Sequence, residues 1–190
     1  MASASPRRRE LLGRLGVEFE IMPSDIDEVL EGSPSGETVA ALALAKARAV
    51  AARVGDGVVL GADTVVVIDG VALGKPVDAE DARAMLQRLR GRGHEVITGV
   101  AVVDARTGRA ETTAVVTRVV MGDVGDDVIE AYVASGEPLD KAGAYAIQGR
   151  GAALVAGFVG SYSNVVGLPL AATARLLRGF AIEVSASAED

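Results

Sequence analysis

The 190-residue chain has no cysteine, no tryptophan and one histidine, and aromatic residues make up only 3%. Without cysteine there are no disulfides and no thiolate chemistry, and a zinc site would have to manage with one imidazole. So few aromatics argue against a stacking platform for single-stranded nucleic acid. No apolar run reaches the roughly 18 residues that a membrane-spanning helix needs. The basic start, Met1 to Arg9, has no apolar stretch behind it, so a secretory signal is not expected. Positive charge is also in deficit. With 19 Lys+Arg against 26 Asp+Glu, the formal net charge is −7. That balance argues against duplex nucleic acid or an anionic membrane as a partner, and leaves room for a local basic pocket that takes a small anion.

What the chain does have is 49% hydrophobic residues, enough for a sizeable core and too many for a disordered protein. The expectation is one cytoplasmic domain over residues 1–184, or two small lobes sharing a cleft, followed by a frayed Ser/Ala/Glu/Asp tail at 185–190.

Ser5 to Gly16 reads as a helix, with Ser5 as cap, Pro6 in the first turn and Leu11, Leu12 and Leu15 as its apolar stripe. Val17 to Met22 alternates like a short strand, and Pro23 to Glu37 reads as an acidic loop. Thr38 to Val54 is an Ala-rich helix stopped by Gly55. Val58 to Ile68 and Val71 to Leu73 form a hairpin about Asp69-Gly70. Asp78 caps a helix that runs to about Arg90. Glu95 to Asp104 and Thr112 to Met121 are strands, Asp126 caps a helix to Ser135, and Ala153 to Val159 is a further strand. Pro169 to Arg178 is a helix and Phe180 to Val184 a last strand. Helices and strands mix without strict alternation, which predicts an α/β fold with a mixed sheet.

Three features break local rules. Arg7, Arg8 and Arg9 stand in the first turn of a helix, where the macrodipole disfavours each cation by roughly 0.3–1 kcal/mol. An anion bound there by arginine forks, backbone N–H groups and the Ser5 hydroxyl removes the conflict; the alternative is a solvated basic turn. Successive helical residues point about 100° apart, so only one or two of the three can face a ligand. Asp63 is the one charge in the apolar run Val58 to Ile68, and burying it unpaired costs several kcal/mol. It therefore pairs with a cation, holds a metal or lies at a cleft, where a general base or a Mg²⁺ ligand fits; the alternative is a strand-end aspartate bonded to its own backbone. Gly61 just before it permits close approach of another group.

The third is Leu73-Gly-Lys-Pro76, which fails as a P-loop because the glycine spacing is short and Pro76 lacks the N–H donor. Lys75 still suits a phosphate as a point charge. Lys46, in an apolar helix, reads first as a snorkelling side chain. Glu28 on the acidic loop is either a solvated acid or a partner of Asp63 at a metal. His94 has no Cys or second His beside it and reads as structural. No G-x-G-x-x-G is complete, so a dinucleotide fold has no support. These residues together suit metal-assisted chemistry on a phosphorylated small molecule.

The same residues fall in ordered blocks: Ala2-Ser-Ala-Ser-Pro-Arg-Arg-Arg-Glu-Leu-Leu12, Gly61-Ala-Asp-Thr-Val-Val66, Gly74-Lys-Pro76, Thr98-Gly99, Glu137 to Gly149 and Gly160 to Pro169. Over residues 2 to 180 the pattern resembles the Maf family of nucleoside triphosphate pyrophosphatases, first named for septum formation. The resemblance implies an elongated α/β structure with a mixed sheet flanked by helices and two lobes around a deep cleft, similar to the inosine-triphosphate pyrophosphatases. It implies cleavage of a nucleoside triphosphate to monophosphate and pyrophosphate with Mg²⁺ or Mn²⁺, and often a homodimer. Residue by residue, it makes Asp63 the group that activates water and Glu28 the acidic cleft residue. It makes Ser5, Arg7, Arg8, Lys46 and Lys75 the phosphate-binding groups. Arg7, Thr64 and Gln148 match the trio that accompanies dTTP and UTP in one subgroup.

Family members carry several apolar residues before the Ala-Ser of the first block, forming an inner strand, whereas only Met1 precedes Ala2 here. The expectation is a first strand cut short or a start site further upstream. The run Gly122 to Asp127 is unusually rich in Gly and Asp for the start of a helix. Two other activities compete with the pyrophosphatase: a non-catalytic nucleotide-binding regulator of cell division, and a phosphatase that releases orthophosphate.

Overall fold

A computed structural model of the chain describes residues 1–26 and 33–185. Glu28 and residues 186–190 of the expected tail lie outside the described residues. The helices are α1 (Pro6–Arg14), α2 (Gly36–Val54), α3 (Ala79–Leu89), α4 (Asp126–Ala134), α5 (Tyr162–Val166) and α6 (Leu170–Gly179). The strands are β1 (Val58–Ile68), β2 (Val71–Leu73), β3 (Gly93–Asp104), β4 (Ala110–Met121) and β5 (Val155–Val159).

Local chemistry sets most boundaries. Ser5 accepts from Arg8 N at the start of α1, and Ser35 and Thr38 form a reciprocal capping box on α2. Asp78 accepts from Asp81 N on α3. At α4 the cap is Gly125, with no side-chain bond, and not the expected Asp126. Asp126 and Asp127 stand instead in the first turn, where the positive end of the dipole favours them. Asp69 and Gly70, with φ of 53° and 73°, make the tight turn between β1 and β2.

The strands form one sheet in the order β2-β1-β3-β4-β5. The expected α/β class, a sheet flanked by helices, is present. Every strand pair is antiparallel, where a mixed sheet was expected. Short turns join β1 to β2 and β3 to β4, and a turn that short can return a strand only antiparallel.

Two expected strands are absent. Phe180 to Val184 keeps its in–out alternation, whereas Val17 to Met22 keeps it only as far as Glu20, since Ile21 is exposed and Met22 half-buried; Val17, Phe19, Phe180, Ile182 and Val184 pack on the core. Their backbones bond elsewhere: Met22 N to Met1 O (3.0 Å), Ile182 N to Leu177 O (3.1 Å) and Ser185 N to Leu15 O (2.8 Å). Ala2 N donates to Leu60 O at 2.7 Å, a single rung where the family pattern implies an inner strand.

Even-numbered residues of β1 share one face of the sheet. Leu60 and Ala62 join Leu11, Leu12, Val100, Leu168, Leu170 and Leu177 in one core under α1 and α6. Val66 and Ile68 join Leu86, Leu89, Val96, Ile129 and Leu154 in a second core under α3 and α4. Between the two, on the same face, stands the polar pair Thr64 and Thr98, in direct register. The opposite face carries α2, packed through Ala43, Ala47 and Val50 on Val59, Ala101 and Val103.

Candidate active site

Asp63 lies on the α2 face of β1, opposite Gly99 of β3. A Cβ at Gly99 would sit 2.5 Å from Val39 O, and one at Gly61 would collide with Ala43 O and stand 2.9 Å from Ala47 N. The helix therefore rests on bare backbone at both positions, which is the close approach that Gly61 suggested. This contact sets Lys46 of α2 over Asp63, with Nζ 2.5 Å from Oδ1. Both residues are buried. Lys46 thus does not snorkel to solvent; it is the cation that a carboxylate in an apolar strand requires.

On its outer edge β1 meets Ala2 at Leu60 and β2 from Val66 onward. Between these points Gly61 to Val65 has no strand partner on that side among the described residues, and a cavity of about 330 Å³ opens there. Ser5, Arg7, Arg8, Asp63, Thr64, Lys75 and Gln148 all line it. Lys46 is not among the lining residues and reaches the site through Asp63. Because Asp63 and Thr64 point to opposite faces, the cavity wraps around the open edge.

The three arginines divide as the helical spacing dictates. Arg9 is exposed. Arg8 is held by protein acceptors: Nε donates to Gly167 O (2.9 Å), Nη1 to Ser3 Oγ (3.3 Å) and Nη2 to Thr64 Oγ1 (3.0 Å). Its conflict with the helix dipole is relieved by these bonds. Arg7 Nη2 lies 3.6 Å from Asp140 Oδ2 at the rim. Burial pushes the Asp140 carboxyl up, but the Lys141 hydrogen bond and charge, helped by Arg7, outweigh it and hold it below its usual value. Gly74 O accepts from Gly143 N at 2.9 Å, which ties the Lys75 turn to the segment carrying Lys141 and Gln148.

Residue-by-residue reading missed four groups here. Ser3 and Lys141 line the cavity, and nothing in their local pattern marks them. Tyr145 lines it too, and its hydroxyl lies 2.7 Å from His94 Nε2; burial pushes that hydroxyl well above its usual value and His94 down to about 4. Asn164 is fully buried behind Thr98, and its signal was the Ser161-x-x-Asn164 cap of α5, whose N–H bond to Ser161 Oγ is 3.0 Å.

Among the described residues no three His, Asp or Glu side chains gather as a metal cage. Mg²⁺-like cations are commonly held by one or two carboxylates with the rest of the shell from water and substrate phosphates. Asp63 fits that arrangement and is the residue that would hold such an ion. Among the described residues no helix is long and apolar enough to cross a membrane.

Residues 1–180 match the family model described as Maf-like protein. The chain belongs to the Maf family. Among its Maf relatives, a protein of Moorella thermoacetica named dTTP/UTP pyrophosphatase is 59% identical, over 97% of this chain and 95% of its own. A protein of the same name from Anaeromyxobacter dehalogenans is 57% identical over 94% and 91%, and one from Pelotomaculum thermopropionicum 50% over 97% of each. The resemblance drawn from the ordered blocks is thus to the right family, and the sheet, the two cores and the cavity are how this Maf chain builds it.

Proposed function

We propose that the chain is a nucleoside triphosphate pyrophosphatase acting on dTTP and UTP, releasing the monophosphate and pyrophosphate. The observation that carries this reading is the Asp63 carboxylate, buried against Lys46 and opening into a cavity whose rim bears Arg7, Lys75 and Lys141. A triphosphate carries about four negative charges, and cations gathered in an otherwise acidic protein suit it. Phosphoryl transfer needs positioning and charge neutralisation more than covalent help.

In this reading Arg7, Lys75 and Lys141 neutralise phosphate oxygens, with Ser5 at the α1 start. Lys46 fixes the Asp63 carboxylate, which orients a water and accepts its proton. The water oxygen bonds to phosphorus, the bond to the α–β bridging oxygen breaks, and pyrophosphate leaves. A divalent cation, Mg²⁺ or Mn²⁺, held by Asp63 would supply further charge neutralisation at the phosphates. Glu28, Thr64 and Gln148 enter as the acidic and base-reading groups on the strength of the resemblance. So do the homodimer, the cytoplasmic location and the treatment of residues 1–184 as one unit.

UTP or dTTP incubated with the protein and Mg²⁺ should yield pyrophosphate and not orthophosphate. Asp63→Asn should lower kcat by about 10³-fold while nucleotide binding persists. Orthophosphate as the product, or undiminished turnover by Asp63→Asn, would overturn the assignment.

A further inference from the structure

Thr64 Oγ1 accepts from Arg8 Nη2 and lies 3.0 Å from Thr98 Oγ1. The neighbouring bonds decide which hydroxyl donates. Thr98 Oγ1 is 3.0 Å from the Asn164 carbonyl oxygen. A carbonyl only accepts, so the single Thr98 proton is committed there. Thr98 must then accept from Thr64, and the single Thr64 proton is committed to Thr98. Arg8 is a donor with no lone pair and occupies one of the two lone pairs of Thr64. What Thr64 can offer the cavity is its other lone pair: it is an acceptor and not a donor.

This polarity is fixed by α5, which packs on the same face of the sheet. Asn164 Nδ2 donates to Val96 O (3.0 Å) and Thr117 Oγ1 (2.8 Å), which holds α5 and its carbonyl over Thr98. Thr98, Thr117 and Asn164 are all 0% exposed, so no bulk water can substitute for a lost partner.

Beside Thr64 the cavity wall is apolar, made by Val66, Val96 and Val165, a surface suited to a planar base and not to phosphate. On the nucleotide reading above, we infer that Thr98 is a specificity-determining positioning residue. It makes Thr64 a pure acceptor, so the site selects bases with a ring N–H donor and rejects those with a ring lone pair at that position. Uracil and thymine carry N3–H. Cytosine presents the N3 lone pair, which would face the lone pair of Thr64 with neither group satisfied.

The test compares kcat/KM for UTP and CTP in the wild type, Thr98→Val and Thr98→Ser, with melting curves to confirm folding. Thr98→Val removes the acceptor for the Thr64 proton, which is then free to turn toward the cavity. The UTP:CTP ratio should fall by about tenfold or more. Thr98→Ser keeps the relay and should hold the ratio within about twofold of wild type. Independently of any variant, N3-methyl-UTP should be at least about 100-fold poorer than UTP for the wild type, while dTTP, with its methyl on carbon, is processed. A folded Thr98→Val with the wild-type ratio, or wild-type turnover of N3-methyl-UTP at the rate for UTP, overturns the inference. Absence of pyrophosphate from UTP and dTTP with the wild type would instead remove the function on which it rests.

Discussion

The Lys46 ammonium and the Asp63 carboxylate meet at 2.5 Å with their side chains only 4% and 8% exposed. Opposite charges this deep offset one another's desolvation, and removing Lys46 takes from the buried Asp63 carboxylate the cation that lies on it. Lys46→Met should therefore cost about 3–5 kcal/mol. The double substitution with Asp63→Leu should recover most of that loss without recovering activity. Urea denaturation of the four proteins checks this; additive losses in the double variant would mean that the two charges are not coupled.

The seat of α2 on the sheet gives a second expectation. Gly99→Ala places a methyl 2.5 Å from Val39 O, a backbone atom that cannot swing away. It should destabilise by about 1–3 kcal/mol and lower kcat, because the helix that carries Lys46 must lift. Gly13, inside α1 with nothing within 4 Å of its would-be Cβ, is the control. Gly13→Ala should stabilise by roughly 0.5–1 kcal/mol with activity unchanged. Thermal melts with parallel pyrophosphate assays separate the two.

Burial pushes His94 down to about 4, from an ordinary value of 6.5. The unfolded chain therefore binds a proton at higher pH than the folded one. The His94 contribution to stability is complete above about pH 6.5 and is lost progressively as pH falls toward 4, on the order of 3 kcal/mol in all. His94→Gln should show a smaller loss over that interval than wild type when unfolding free energies are compared at pH 7, 5.5 and 4. Parallel curves for the two proteins would contradict it.

Much of the fold was legible because it is local. The limits of β1 and β2, the α2 stop at Gly55 and the caps at Ser5 and Asp78 follow from backbone chemistry within a few residues. Val17 to Met22 and Phe180 to Val184 show the boundary of that legibility. Side chains alternate over residues 17–20 and 180–184, but a strand also needs a neighbour to complete its ladder, and no local signal supplies one. The glycines Gly143, Gly149 and Gly151 suggest tight turns or close backbone approach, and the 3₁₀ turns over Ala142–Ala144 and Gly149–Leu154 carry positive φ at Gly143 and Gly149.

The sequence by itself determined that Asp63 needs a partner, because one carboxylate in an apolar run cannot be buried alone. It did not determine that the partner is Lys46, because an apolar helix reads equally as a carrier of a snorkelling lysine. Only the tertiary structure decided that, by laying α2 on the bare backbone of Gly61 and Gly99. Likewise the order of residues placed Thr64 one step from Asp63, but the direction of its proton was set by Thr98 and Asn164, 34 and 66 residues apart along the chain within their bonded pairs. Hydrogen-bond polarity passes through space from one oxygen to the next, so it exists only once the strands and α5 have been brought together.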